Sequence, residues 1–502
     1  MHTIYAAIDM GSNALKLKIV QYINKRRHVL DQVSRSVRIG EDIFSKGNIE
    51  HDTVKDIIRI MELFQAMMES YAVEQYRAVA TGAFRLADNN LNVLEMILMR
   101  TGIQFEIVED TVEKFLTYKS IRDNLDNYRE IRKSAILVEL NSGSCDVSIY
   151  SQNKLVFNEE FTIGTLVMKN IMRELESRSI HYLEPMQALV ETRTAHMWKA
   201  IQNRKIQHFL AIGGAIKIMK QHLIGELEML ERDAVEKMYK RLMKDHLLYR
   251  KEIEETGMDW YEFVVGVLVY RTFLGLVNTD HMLLPQINVR DGLIATMIEQ
   301  DYQLKRYRLF NGDILSLARS ISSRYRSNIK HCQTLEQNGA AILEALNTVF
   351  PFDERDELLL RVAAILHEIG KFARTKDYLS TSFYKIRNLS VLGMTEHEMM
   401  MVAYICKFMT DRESSRMDMM RLNQSEQNRI LKLSSILSIS DALDKGKRQR
   451  IEVLDFKVTR DEFILYYRQS EDTTLEQWNF DNRKTDFINT FGLIPKMIEV
   501  ES

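Results

Sequence analysis

Two stretches of the chain alternate apolar and polar residues around a sharp polar turn, and one echoes the other. Ile8-Asp9-Met10-Gly11-Ser12-Asn13-Ala14-Leu15-Lys16-Leu17-Lys18-Ile19 runs through apolar residues onto a carboxylate, crosses a small turn and resumes alternation at Leu15, Leu17 and Ile19. A period of two predicts a β-hairpin with one buried face. Ile136-Leu137-Val138-Glu139-Leu140-Asn141-Ser142-Gly143-Ser144-Cys145-Asp146-Val147-Ser148-Ile149 has the same order, with Asp9 matched to Glu139, Ser12 to Ser142 and Ile19 to Ile149. An internal repeat can set a whole architecture. This one predicts two similar α/β lobes, each bringing an acidic hairpin tip to a shared cleft.

The intervening pattern agrees. Short β-type runs at 76–80, 105–108, 155–161 and 209–212 alternate with helical periods at 91–100, 109–121 and 186–201. Such alternation predicts an α/β fold. After residue 300 the strand signal vanishes, and helical periodicity dominates from 303 to about 447. Two alternating runs, 451–458 and 462–467, then return around Thr459-Arg460-Asp461. The expected domains are lobe one at 1–122, lobe two at 123–302, a helical domain at 303–449 and a small α+β domain at 450–502.

Composition narrows the class. A chain of 502 residues exceeds one compact core, and 45% hydrophobic with 27% charged residues is ordinary for a globular protein. A net charge of −2 argues against a general nucleic-acid coat, and nucleic acid is not an expected partner. Basic clusters at 237–241, 305–308, 319–330 and 445–450 read individually as solvated helix faces, or together as a channel for a polyanion. The three cysteines, Cys145, Cys332 and Cys406, lack disulfide or metal spacing, which makes a reducing cytoplasm the default. Asp9 interrupts the first apolar run and no cleavage pattern follows, so no signal peptide is expected. No apolar run approaches membrane-spanning length. Most of the 27 methionines sit at helical spacing and read as core filling.

A carboxylate at a strand end beside a Gly/Ser turn suits phosphate and metal. Backbone N–H groups of the turn can cradle phosphoryl oxygens, and the carboxylate can hold a hydrated divalent cation. A polar residue opening an ordinary hairpin turn would look the same at either site alone. Ile212-Gly213-Gly214-Ala215, between a strand and a helix, either presents a helix N-terminus to phosphate or supplies a turn of positive φ.

Taken together, these residues resemble the exopolyphosphatase/guanosine pentaphosphate phosphatase (Ppx/GppA) family of the sugar kinase–Hsp70–actin superfamily. The matching segments are 8–19, Arg38-Ile39-Gly40-Glu41, Ala80-Thr81-Gly82-Ala83-Phe84-Arg85, VEDTVEKFLTY (108–118), 138–149, FTIGTLV (161–167), AIGGAI (211–216) and NVRDGLI (288–294). The resemblance implies two actin-like (RNase H-like) lobes around a cleft, a helical HD-like domain and a small α+β C-terminal domain. It places phosphate binding on Gly11, Ser12, Asn13, Arg85, Ser142, Gly143, Ser144, Cys145, Gly213 and Gly214. It makes Asp9, Glu139 and Asp146 ligands of Mg²⁺ or another divalent cation, and Glu113 the general base. Related proteins are often homodimers.

The chain also departs from that pattern. The family's Asp-Ile-Gly-Gly-Gly-Ser-Thr-Glu loop reads Glu139-Leu140-Asn141-Ser142-Gly143-Ser144-Cys145-Asp146. Val112 replaces the first acid of a Glu-Glu-Ala-Arg motif, and Ala14, Val167 and Ala215 replace Ser, Arg and Thr. These changes remove phosphate donors or hinder close backbone approach, which predicts weakened activity traceable to the second hairpin. In the helical region, His331, His367-Glu368 and Asp441 follow the order of an HD metal phosphohydrolase, but Glu368 replaces the usual Asp, and we read a structural shell. The expected activity is cytoplasmic, metal-dependent exopolyphosphatase. The alternatives are guanosine pentaphosphate 5′-phosphatase, or a non-catalytic sensor of polyphosphate or guanosine phosphates.

Overall fold

The computed structural model describes residues 2–125, 127–202, 204–223, 228–285, 287–304, 308–373, 376–410 and 422–500. The chain divides into two compact units, Met1–Arg308 and Leu309–Ser502. It has a mixed α/β architecture, with two sheet-containing lobes followed by a helical region and a small C-terminal sheet.

The first unit is built on two sheets. One contains β1 (His2–Met10), β2 (Ala14–Ile23), β3 (Arg26–Ser36), β4 (Gln75–Ala80) and β5 (Phe105–Ile107), in the order β3-β2-β1-β4-β5. The other contains β6 (Ser134–Leu140), β7 (Cys145–Ser151), β8 (Lys154–Phe161), β9 (His208–Gly213), β10 (Met229–Glu231) and β11 (His281–Leu283). Its order is β10-β11-β9-β6-β7-β8. In both sheets the hairpin's first strand, β1 or β6, runs antiparallel to its partner and parallel to the next strand of the sheet, β4 or β9. The repeated sequence is thus a repeated topology.

Alternation sets the faces. Ile8, Met10, Leu15, Leu17 and Ile19 are buried together beneath the helix His51–Ser70, while Tyr5, Ala7 and Val79 face Leu293 and Met297 of the helix Val289–Asp301. Asp9 has the parity of Tyr5 and Ala7, so its carboxylate lies on the second of these faces. In the other sheet, Ile136, Val138, Cys145, Val147 and Ile149 enter the core. Glu139, Asp146 and Tyr150 take the opposite face, where Tyr150 stacks on Tyr118 of the helix Asp110–Asn124 with ring centroids 5.6 Å apart.

One expected helix is divided. The span 186–201 forms Leu183–Thr194 and Met197–Ile201. The Thr194 hydroxyl donates to the carbonyls of Val190 and Glu191. The next turn closes through tighter bonds, Ala195 N–H to Thr192 and Trp198 N–H to Ala195, both 3.4 Å. Local Thr bonding and three-residue turns loosen an α-helix in this way.

In the second unit, helices from Arg308–Arg324 to Gln424–Ala442 precede a sheet of β12 (Ile451–Val458), β13 (Glu462–Gln469) and β14 (Ile494–Glu499). The helix Thr474–Phe491 supplies Phe487, which packs on Phe463 of β13 at 5.2 Å. The side chains of the basic cluster 305–308 lie outside the described residues. Among the described residues, no helix is long and apolar enough to cross a membrane.

Candidate active site

The two hairpin turns are tethered alike. At the first, Gly11 N–H donates to Ala14, and the Ser12 and Asn13 carbonyls accept from Gly40 N–H (2.7 Å) and Val37 N–H (3.1 Å). At the second, Asn141 N–H donates to Ser144. The Asn141 and Ser142 carbonyls accept from Thr165 and Leu166 N–H, both at 2.9 Å, at the start of the helix Thr165–Glu176. The bonds from outside each turn engage its carbonyls, the groups that an anion site cannot use, while Gly11 and Asn141 spend their amides closing the turns. Gly164 makes the second tether possible. A Cβ there would stand 2.2 Å from the Gly143 carbonyl carbon and 2.3 Å from Ser144 N.

The helix Asp110–Asn124 stands between the hairpins. Its Glu113 is one-fifth exposed and lies 3.8 Å from the Arg85 guanidinium. Burial, then the negative charge of Asp9, push the Glu113 carboxyl up to about 7 against the pull of Arg85. Arg85 also donates to the Val108 carbonyl at 2.6 Å and pairs with Asp110. The predicted phosphate-binding arginine and general base are therefore neighbours. Asp9 accepts from the Thr81 hydroxyl at 3.2 Å, and Lys16, its cross-strand partner, lies 3.7 Å away.

Glu139 is buried and accepts from the Thr117 hydroxyl at 3.3 Å. Burial, then Asp146 and Glu113, push its carboxyl up to about 8. Asp146 is bound by Lys114, whose Nζ lies 2.6 Å from Asp146 and 2.5 Å from Glu160. Burial raises the Asp146 carboxyl, Lys114 opposes this, and the balance is about 6.

The three acids expected to hold magnesium are not gathered into one direct ligand cluster. Among the described residues, Asp9, Glu139 and Asp146 do not supply three ligand atoms within 4.8 Å of one another, and Asp146 already has an ammonium partner. Lys114 was the missed residue. The signal was present, because Lys114 directly follows Glu113 and stands at the alanine of the Glu-Glu-Ala-Arg pattern. Its target is 32 positions away in sequence and becomes visible only when the helix docks on the second sheet.

Two other expectations change. The Cys145 side chain is fully buried among core residues, so any part it plays at the turn falls to its backbone. Gly213 has φ +135°, and a Cβ on it would lie 2.1 Å from the Leu140 carbonyl oxygen. The close passage of β9 by β6 therefore accounts for this glycine, whatever the helix after it binds. Ser144 donates to Asp146 at 3.3 Å, while Gly143 has open space where a Cβ would be. A cavity of about 200 Å³ beside the first turn is lined by Asn13, Val37, Arg38, Glu41, Thr165, Leu166, Lys169, Asp259 and Glu262.

In the second unit, His331, His367 and Asp441 do converge, each with a potential ligand atom within 4.8 Å of the others. His331 lies between two acids, with Nδ1 2.9 Å from Asp444 and Nε2 3.4 Å from Asp441. Lys445 donates to Asp441 at 2.8 Å, while Lys371 and Lys447 both hold Glu368. His367 Nδ1 bonds the Ala364 carbonyl at 2.8 Å. Burial alone would lower the His331 imidazole, but Asp441 and Asp444 raise it overall. His331→Ala is expected to lower stability by about 3–5 kcal/mol, because it strips a buried charge cluster of its central partner. Urea midpoints would measure this, and an unchanged midpoint would refute a structural role for His331 between Asp441 and Asp444.

The family model described as Ppx/GppA phosphatase family matches residues 19–301, and Ppx/GppA phosphatase, domain III, matches 316–484. A guanosine-5′-triphosphate,3′-diphosphate pyrophosphatase of Vibrio atlanticus is 20% identical over 96% of this chain and 94% of its own. That of Aliivibrio fischeri ES114 is 21% identical over 79% and 78%. Among solved structures, a Ppx/GppA family member from Aquifex aeolicus superposes with TM-score 0.51 and 16% identity, covering 60% of this chain and 99% of that one. An exopolyphosphatase from Cytophaga hutchinsonii gives 0.50 and 19%, covering 59% and 98%.

Proposed function

Because this chain belongs to the Ppx/GppA phosphatase family, we propose that it hydrolyses the terminal phosphoanhydride of inorganic polyphosphate. The observation that carries this reading is Glu113, a cleft carboxyl with raised proton affinity beside Arg85 and between two carbonyl-tethered turns. The turns, at Ser12-Asn13 and Ser142-Gly143-Ser144, bind phosphoryl oxygens through backbone N–H groups, the Gly11 N–H being bonded to Ala14. Arg85 adds charge-assisted hydrogen bonds from the side of Glu113. Glu113 orients a water and accepts its proton as the oxygen attacks the terminal phosphorus. Positioning and electrostatics supply most of what phosphoryl transfer needs. No step is assigned to magnesium.

The names of the curated relatives favour a second reading, guanosine pentaphosphate as substrate. Among the described residues, the cavity beside the first turn is lined by polar, charged and aliphatic side chains such as Asn13, Arg38, Leu166 and Lys169, which suits a phosphate chain. Phosphate release from polyphosphate, guanosine pentaphosphate and ATP, measured side by side with and without divalent metal, separates the two. Binding of either polyanion without turnover would instead support a sensor.

The rate should depend on pH with a definite sign. Glu113 acts as a base only when ionised, and its pKa is about 7. In substrate-limited assays kcat/KM is therefore expected to rise as pH increases through about 7 and then level off. A flat profile between pH 5.5 and 8.5 would remove Glu113 from the role of base.

A further inference from the structure

The second hairpin carries more negative charge than its turn alone suggests. Glu139 on β6 is the direct cross-strand partner of Asp146 on β7, and Asp146 is the partner of Glu160 on β8. Directly opposed residues of an antiparallel ladder project to the same face, so three adjacent strands present a row of three carboxyl groups. Like charges at such spacing repel, and the adjacent Asp146–Glu160 pair in this row calls for a counter-ion.

The counter-ion comes from the other lobe. Lys114 is buried, with its side chain only 9% exposed, and Nζ contacts Asp146 at 2.6 Å and Glu160 at 2.5 Å. The neighbouring turn of the same helix sends the Thr117 hydroxyl to Glu139. Each acid of the row thus has a partner from one helix.

We propose that Lys114 is the resident cation of this row and keeps a divalent metal ion off Asp146. An ammonium already in contact with two carboxylates gives up charge–charge contact when a metal enters, while an incoming metal must also lose water. Asp146 consequently serves as the anchor for Lys114, and through it holds the helix that carries Glu113. The proposal rests on the hydrolase reading and assigns the charge of the second hairpin, which faces the first as one jaw faces the other, but its test uses no substrate. A failed assay on polyphosphate leaves it standing, and a failed metal titration leaves the assay standing.

The test is Mn²⁺ titration of the full-length protein, followed by electron paramagnetic resonance of free Mn²⁺. Asp146→Asn in the otherwise unchanged protein is expected to leave the number and affinity of bound Mn²⁺ unaltered. Lys114→Met, which keeps length and removes charge, is expected to gain one Mn²⁺ per chain, and Lys114→Met/Asp146→Asn to lose it again. Loss of Mn²⁺ from the single Asp146→Asn variant would overturn the proposal, as would a folded Lys114→Met protein that gains none. If Lys114→Met does not fold, the Asp146→Asn comparison alone decides, because it leaves the ammonium in place.

Discussion

Glu113→Gln is expected to reduce phosphate release from polyphosphate by on the order of 10²–10⁴-fold, the range for loss of a positioned general base. The amide keeps the size of the side chain and a hydrogen-bonding oxygen, but it cannot take a proton from water. The carboxyl also lies within charge range of Asp9 and Arg85. Neutralising it removes repulsion from the first jaw and frees part of the guanidinium, so polyphosphate should bind at least as tightly as to the unchanged protein. A fall in kcat with KM level or lower is the diagnostic pattern. Full turnover by the variant would end the assignment. Weakened binding with kcat intact would make Glu113 a structural residue.

Gly164→Ala is the second large expected effect, and it acts on the opposite jaw. The added methyl would fall within 2.4 Å of three backbone atoms, in Ser142, Gly143 and Ser144. Backbone cannot rotate aside as a side chain can, so the turn and the start of the helix Thr165–Glu176 must separate. The 2.9 Å bonds from Thr165 and Leu166 to the turn would then lengthen. Overpacking of this kind typically costs about 1–3 kcal/mol. A displacement near 1 Å at a reacting centre can cost on the order of 10²-fold in rate. Thermal unfolding and phosphate release should therefore both fall, with KM rising because phosphate contacts are lost. A variant with unchanged melting and unchanged KM would show that this turn does not hold substrate.

Much of the architecture was legible because it rests on local rules. Alternation around Asp9 and Glu139 exposed the two hairpins, and their likeness exposed the repeated topology. The helical region and two of the closing sheet's three strands followed from period; the third, β14, did not. The division of the helix near Ala195 was not legible. It turns on how Thr194 bonds its own backbone, and periodicity does not register that choice.

The site divides in the same way. Arg85 and Glu113 come together as their motifs implied, since Arg85 follows β4, Glu113 lies in the helix after β5, and β4 and β5 are paired parallel strands. The ammonium beside Asp146 was not legible, because sequence shows which residues are acids and not which cations reach them. Lys114 reads as an ordinary helical lysine until its helix docks against β7 and β8. Cys145 shows the converse. It belongs to the turn by position, but the parity of β7 sends its side chain into the core.

The helix Asp110–Asn124 serves both hairpins from consecutive positions, Glu113 toward Arg85 and Lys114 toward Asp146. Successive residues on an α-helix are about 100° apart, so the two assignments share a single phase. Substitution can retune either side chain by itself. Inserting one residue between 110 and 113 would instead rotate both at once, sending the carboxylate toward the acidic row and the ammonium past it, and a deletion there would turn both the other way. This segment is accordingly poorly able to change length, even where it can accept a different residue.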